Sequence, residues 1–139
     1  MNINSLERFV EAQERTYPMA LREIKEGKKR SHWMWYIFPQ LRGLGTSAMA
    51  HTYGIAGLEE ARAYLAHPLL FERICELCDA LLAHKGRSAY EIFGGIDGMK
   101  LKSSMTLFAL VSESGSIFHR VLDCFYAGRM DEATLKLAK

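Results

Sequence analysis

Apolar side chains recur along this chain every three or four residues, the spacing that places them on one face of an α-helix. The widest stripe comprises Leu70, Phe71, Ile74, Cys75, Leu77, Cys78, Leu81 and Leu82. No run of alternating β-branched residues is long enough to predict a strand. The pattern therefore predicts an all-α protein, compact and formed as a single domain over residues 1–139, with about eight to ten helices, several of them short.

Residues that favour caps and breaks mark the predicted ends of these helices. Asn4, Ser31, Asp97 and Asp131 each precede an apolar stretch, and each side chain is able to accept a hydrogen bond from a free backbone N–H. Gly27 is expected to end the first long helical stretch. A short helix or turn is predicted at about 48–53, and a short helix at 88–93 is followed by two glycines.

The helix predicted near 98–111 differs from the others because its second half is apolar around its whole circumference. Such a helix is surrounded by protein, so we expect it at the centre of the fold. Its first turns are polar, and at 100° per residue Asp97, Lys100 and Ser104 share a narrow arc with Ser103 beside it. The helix dipole favours an anion at this end. These residues are candidates to bind a phosphate or carboxylate; the alternative is a capped helix start whose small residues allow close packing.

Both tryptophans lie in the aromatic motif, which we define as residues 32–40 with the sequence HWMWYIFPQ. Trp33 and Trp35 could stack on a flat ligand, while His32 and Gln40 could fix its orientation. The alternative is that these side chains belong to the core and that their polar tips bind backbone carbonyls. The sequence leaves both interpretations open.

Composition excludes several classes of protein. A hydrophobic content of 49% with regular helical stripes is incompatible with a disordered inhibitor. A net charge of only +2 does not favour nucleic acid as a partner, so the basic run at residues 28–30 is interpreted as a solvated helix end. No stretch approaches the roughly 18 apolar residues of a membrane span, and residues 1–7 lack a signal-peptide pattern, so no membrane partner is expected.

Neither a metal nor another cofactor is predicted. Cys75 and Cys78 form a C-x-x-C spacing in the middle of a predicted helix, without a second ligand pair, and are interpreted as reduced core thiols of a cytoplasmic protein. The five histidines are scattered without ligand spacing. The glycines form neither a dinucleotide-binding nor a P-loop pattern.

Several motifs, in order along residues 6–135, resemble the bacterial family labelled domain of unknown function 1810. They are HWMWYIFPQL at 32–41, Gly43-Leu44-Gly45, His67-Pro68, Glu91-Ile92-Phe93-Gly94, Asp97, Lys100-Leu101 and residues 103–108. The resemblance implies an all-α fold of the α-α superhelix kind and implies no established activity. The most characteristic segments are the aromatic motif and residues 97–108, and we expect them to meet in space.

Three functional hypotheses follow. The first is a small-ligand-binding domain or enzyme for an anionic or nucleotide-like metabolite, with the aromatic motif as a stacking wall and His32 or Asp97 as the general acid–base group. Its anion would be held by Lys100, Ser103, Ser104 and Arg42. The second is a protein-interaction module that uses a helical groove. In the third, both segments are purely structural.

Overall fold

Eight α-helices form most of residues 5–138, which are the residues described in the computed structural model of this chain. They are α1 Glu7–Glu26, α2 Met34–Ile37, α3 Ala48–Tyr53, α4 Leu58–Ala66, α5 Pro68–Leu82, α6 Ala89–Leu110, α7 Ile117–Tyr126 and α8 Glu132–Leu137. No strand occurs within residues 5–138, where the one extended pairing is an isolated parallel bridge between Leu41 and Ile55. The predicted all-α class is confirmed, at the lower end of the predicted number of helices.

Helix α1 is the long N-terminal element and packs against α2 and α5. Its apolar residues Phe9, Ala20 and Ile24 are buried in the core. It ends where predicted, because Gly27 adopts a left-handed φ of 81° and its N–H bonds the carbonyls of the last turn. The predicted cap at Asn4 lies outside the described residues.

Helix α6 crosses the centre of the molecule and packs against α4, α7 and α8. It begins with a capping box between Ser88 and Glu91, and it breaks at Gly94, whose φ of 81° and ψ of 177° are not helical. The two helices predicted on either side of the glycines are thus two parts of one broken helix. The predicted cap at Asp97 is wrong, because helical geometry resumes directly after Gly94 and Asp97 lies within the first turn.

The aromatic motif forms only a short helix, α2. The predicted cap at Ser31 is wrong, because α2 begins after Trp33 and receives no side-chain cap. The Ser31 hydroxyl instead donates a hydrogen bond of 2.7 Å to the Glu23 carboxylate. A charged acceptor makes a stronger bond than a neutral backbone group, which explains the preference.

One continuous hydrophobic core joins these helices. Trp33, Phe38 and Phe93 contact one another with ring centroids 6.2–6.4 Å apart, which joins the aromatic motif to the start of α6. Phe108 on the second part of α6 packs between rings of α4 and α7. The second part of α6 is the buried central helix that the sequence predicted near 98–111.

Candidate functional site

Trp33 is a core residue and not the wall of an open site. Its side chain is fully buried between the rings of Phe38 and Phe93. Its indole N–H donates a hydrogen bond of 2.9 Å to the carboxylate of Glu23. Because a buried indole N–H needs an acceptor, this bond completes the burial of Trp33.

Glu23 is the polar centre beneath the aromatic motif. Its carboxylate accepts hydrogen bonds from the backbone N–H groups of Arg30 and Ser31, from the Ser31 hydroxyl and from the Trp33 indole. Burial alone would raise the pKa of Glu23, but these donors outweigh it and lower the pKa to about 2. Sequence reasoning missed this residue, although an acid on the buried face of α1, next to Ile24, was a usable signal.

Asp97 lies between two lysines. One carboxylate oxygen is 2.8 Å from the Lys29 ammonium, and the other is 3.9 Å from the Lys100 ammonium. The Lys29 side chain is only 7% exposed and covers the Trp33 ring at 4.9 Å. The interpretation of residues 28–30 as a solvated helix end is therefore wrong for Lys29, because its nearly buried side chain has a partner, Asp97, that is distant in sequence.

Lys100 lies over the second tryptophan. Its ammonium is 5.1 Å from the centre of the Trp35 ring, and its side chain is 26% exposed. The Asp97 oxygen at 3.9 Å lies beyond hydrogen-bond distance. Within residues 5–138, the Lys100 ammonium donates no hydrogen bond.

Two cavities meet at Lys100. The first, beneath Trp35, has a volume of about 10 Å³, which is room for about one water molecule. The second, which we call the groove, has a volume of about 510 Å³. The groove is lined by Gln40, Leu44, Gly45, Gly95, Ile96, Met99, Lys100, Ser103, Asp131 and Ala133. Gln40 and Lys100 line both cavities.

A backbone pairing positions Gln40 on one side of the groove. The Gln40 carbonyl accepts from the Ile55 N–H at 2.8 Å, and the Arg42 N–H donates to the Ile55 carbonyl at 2.8 Å. Gly54 allows this approach, because a Cβ at that position would lie 2.6 Å from the Cα of Arg42. The end of the aromatic motif is thus fixed against the segment after α3.

The opposite side of the groove is formed where α6 meets α8. The Asp131 N–H donates to the Thr106 hydroxyl at 2.9 Å, and the Asp131 carboxylate caps α8 through Thr134, as the sequence predicted. The Ser103 hydroxyl donates to the Met99 carbonyl at 3.2 Å, and its oxygen remains able to accept. Both carboxylate bonds go to one oxygen of Asp131.

The structure brings four of the nine sequence-predicted ligand residues to the two cavities: Trp35, Gln40, Lys100 and Ser103. The other five lie elsewhere. His32 is exposed outside both linings, Trp33 is in the core, and Asp97 is held by the two lysines. Arg42 donates from Nε to the His51 carbonyl at 3.0 Å. Ser104 is fully buried, and its hydroxyl has no hydrogen-bond partner within residues 5–138.

The remaining candidate chemistry lies apart from this site. Cys78 is buried and Cys75 is half-buried, both are free, and burial raises the pKa of each thiol. Among the described residues, no three His, Cys, Asp or Glu side chains are grouped as a metal site would require. No helix in that part of the chain has the length and apolar character to cross a membrane.

Comparisons with known proteins agree with this architecture. A family model described as "Protein of unknown function (DUF1810)" matches residues 3–138. The crystal structure of the conserved hypothetical protein Rv1873 from Mycobacterium tuberculosis is similar with a TM-score of 0.94 and 47% sequence identity, covering 98% of this chain and 97% of that chain. A search of curated proteins gave no match. Since the family model spans nearly the whole sequence, this all-α chain belongs to the DUF1810 family.

Proposed function

We propose that this protein binds a small anionic metabolite, whose anionic group contacts Lys100 at the junction of the two cavities. The observation that carries the proposal is Lys100, whose side chain is three-quarters buried and whose ammonium donates no hydrogen bond within residues 5–138. An ammonium has three N–H donors, and at Lys100 the neighbouring Asp97 oxygen at 3.9 Å and the Trp35 ring leave these donors available to a ligand. A carboxylate or phosphate oxygen would supply the acceptor.

The neighbouring groups support an anion at this place. The Gln40 amide provides N–H donors beside Lys100, whereas the Ser103 hydroxyl lines the groove but donates its proton to the Met99 carbonyl. The volume of the groove, about 510 Å³, falls within the range of small-molecule sites. The cavity beneath Trp35 is too small for a metabolite, so the ligand belongs in the groove.

The proposal is for binding and not for turnover. Of the two acid–base candidates in the sequence, His32 lies outside the groove and Asp97 is paired with Lys29. Lys100 already covers one face of the Trp35 ring, which favours an anion site over a stacking site for a flat base.

A protein-interaction groove is the second candidate, and the exposure of Ile96 and Met99 beside Lys100 favours it. Pull-down from a lysate with the wild type and with Ile96→Ser tests this candidate. Recovery of the same partners by both proteins would count against it.

The anion site is tested by thermal shift with phosphate, carboxylates, sugar phosphates and nucleotides. A ligand at about 100 times its Kd stabilises a protein by roughly 2.7 kcal/mol, which raises the Tm by several degrees. Lys100→Met keeps the aliphatic stem over Trp35 and removes the charge, so we expect it to lose the shift. Lys102→Met is the matched control, because Lys102 lies on the same helix and lines a different cavity.

We expect the control to respond to the anions as the wild type does. Equal shifts for the wild type and Lys100→Met, or no shift with any anion, would contradict the proposal.

A further inference from the structure

We infer that the ligand of the groove is a monoanionic amphiphile, with a single carboxylate at Lys100 and a hydrocarbon chain that lies over Leu44, Ile96 and Met99. This inference rests on the proposed function and specifies its ligand class. It follows from the distribution of polar and apolar groups around Lys100.

The apolar part of the groove is exposed and continuous with the anion site. Ile96 is 78% exposed and Met99 is 56% exposed. They are three residues apart on α6 and therefore neighbours on its surface, and Met99 directly precedes Lys100. Leu44 also lines the groove, and Gly45 and Gly95 contribute only backbone atoms to its lining. Exposed apolar patches that are rimmed by polar groups often mark ligand-binding or protein-interaction sites.

The charges around Lys100 select one anionic group and not several. Asp97 has one oxygen 3.9 Å from the Lys100 ammonium, and Asp131 lines the same groove. Lys29 is paired with Asp97 at 2.8 Å. Lys100 is the cation in the groove lining, and it has no hydrogen-bonded partner within residues 5–138. A polyphosphate or dicarboxylate would bring its second charge toward these carboxylates, where like charges repel. A single carboxylate brings only one negative charge near them, so it meets less repulsion than a polyphosphate or dicarboxylate does.

A wholly polar anion would leave the apolar wall uncovered. A chain of several methylenes covers it and gains affinity from each carbon removed from water. Complete burial of one methylene improves affinity by about fourfold, and a groove open on one side yields about twofold. The groove has a volume of about 510 Å³, which is enough for a medium-length chain.

The test is a titration of acetate, butanoate, hexanoate and octanoate into the full chain by calorimetry, with hexanol and succinate as comparisons. We expect the Kd to fall by about twofold for each added methylene. Hexanoate should bind more tightly than hexanol to the wild type but equally to Lys100→Met. Succinate should bind no more tightly than acetate.

Two surface variants separate the groove from unspecific adsorption. Met99→Ser removes an exposed side chain of the groove, so we expect it to weaken octanoate binding by at least threefold and to leave acetate binding unchanged. Phe71→Ser is the control, because Phe71 is an exposed apolar residue on α5 that lines a different cavity. We expect it to bind the whole series as the wild type does.

The outcomes distinguish this inference from the proposed function. Carboxylates that bind through Lys100 with no dependence on chain length would overturn the amphiphile and keep the anion site. Binding that Lys100→Met leaves intact would overturn both. Equal weakening by Met99→Ser and Phe71→Ser would also overturn the inference, as would a wild-type dimer, seen by sedimentation velocity, that Met99→Ser dissociates.

Discussion

At the residue scale, the polar side chains that contact each tryptophan determine its environment. Trp33 has its N–H bound to Glu23 and a lysine over its ring, whereas Trp35 is half-buried under Lys100 and lines the small cavity. Two tryptophans that are two residues apart therefore have different roles. The difference arises because Glu23 accepts four hydrogen bonds on one side of the motif only.

Replacement of Glu23 by Gln is expected to change both stability and its dependence on pH. In the folded state the pKa of Glu23 is lowered from 4.5 to about 2, which corresponds to roughly 3 kcal/mol at neutral pH. This contribution is complete above about pH 5 and is lost as the pH falls through 4.5 toward 2, because the unfolded state then binds the proton first. Glu23→Gln should lose roughly 2–3 kcal/mol in denaturant unfolding at pH 7 and show a flatter profile between pH 5 and pH 2.

The control for Glu23 is Glu26→Gln. Glu26 is half-exposed on the same helix and pairs with Arg30, so its loss should alter the free energy of unfolding by less than about 0.5 kcal/mol. The role assigned to Glu23 is wrong if the two variants have equal pH profiles.

At the element scale, Gly54 and Gly94 shape the site for two different reasons. Gly54 lets the end of the aromatic motif pair with the segment after α3, and Gly94 lets α6 change direction before Lys100. At Gly54 the constraint is space, because backbone atoms lie where a Cβ would stand. At Gly94 the constraint is the left-handed φ of 81°, since nothing lies within 4 Å of its Cβ position.

Gly54→Ala is expected to destabilise the protein and weaken anion binding together. The added Cβ would lie 2.6 Å from the Arg42 Cα and 2.7 Å from the Ala50 carbonyl oxygen, and a shift of Arg42 would disturb the backbone pairing that holds Gln40. Overpacking of this kind costs about 1–3 kcal/mol. Urea unfolding measures the cost, and thermal shift with the anions measures the site.

Gly98→Ala is the matched control within α6. Its Cβ would lie 3.7 Å from Ala89, which is ordinary contact, and Ala favours a helix interior over Gly by about 1 kcal/mol. We therefore expect this variant to gain stability. A loss at Gly98 equal to that at Gly54 would contradict the argument from space.

For the whole molecule, a buried ion pair joins the N-terminal helix to the middle of the chain. Arg8 is fully buried and bidentate to Glu60, with N···O distances of 3.0 and 3.1 Å. Its remaining donors bind the carbonyls of Ser5, Thr52 and Gly54, so every N–H of the guanidinium has an acceptor. This side chain ties α1 to α4 and to the loop that positions Gln40.

Arg8→Met should destabilise the whole fold and not one part of it. Removal of one partner leaves the Glu60 carboxylate and three carbonyls short of donors, a change that costs about 3–5 kcal/mol for buried pairs. Because one hydrophobic core joins the helices, we expect a single unfolding transition that coincides by tryptophan fluorescence and far-UV circular dichroism.

Arg22→Met serves as the control, since Arg22 is exposed on the same helix. Its free energy of unfolding should differ from the wild type by less than about 0.5 kcal/mol. Two separate transitions in Arg8→Met would contradict a fold that depends on this ion pair as a unit.

The sequence by itself determined the all-α class, the helix end at Gly27, the cap at Asp131 and the central apolar helix. These features depend on hydrophobic spacing and on caps within a few residues, so local physics is sufficient to predict them. The motifs also indicated the family and the approach of the aromatic motif to α6. The error at Ser31 arose because its hydroxyl binds the Glu23 carboxylate, and the error at Asp97 arose because the second part of α6 begins directly after Gly94.

The tertiary structure alone decided the polar partners and the division of the candidate site. Arg8 meets Glu60 and Lys29 meets Asp97 only when helices distant in sequence come together. Whether Trp33 or Trp35 faces Lys100 likewise depends on which side of the motif α1 covers. The spacing of apolar residues along the chain indicates which face of a helix is apolar, whereas the partner of a buried charge depends on how the helices pack against one another.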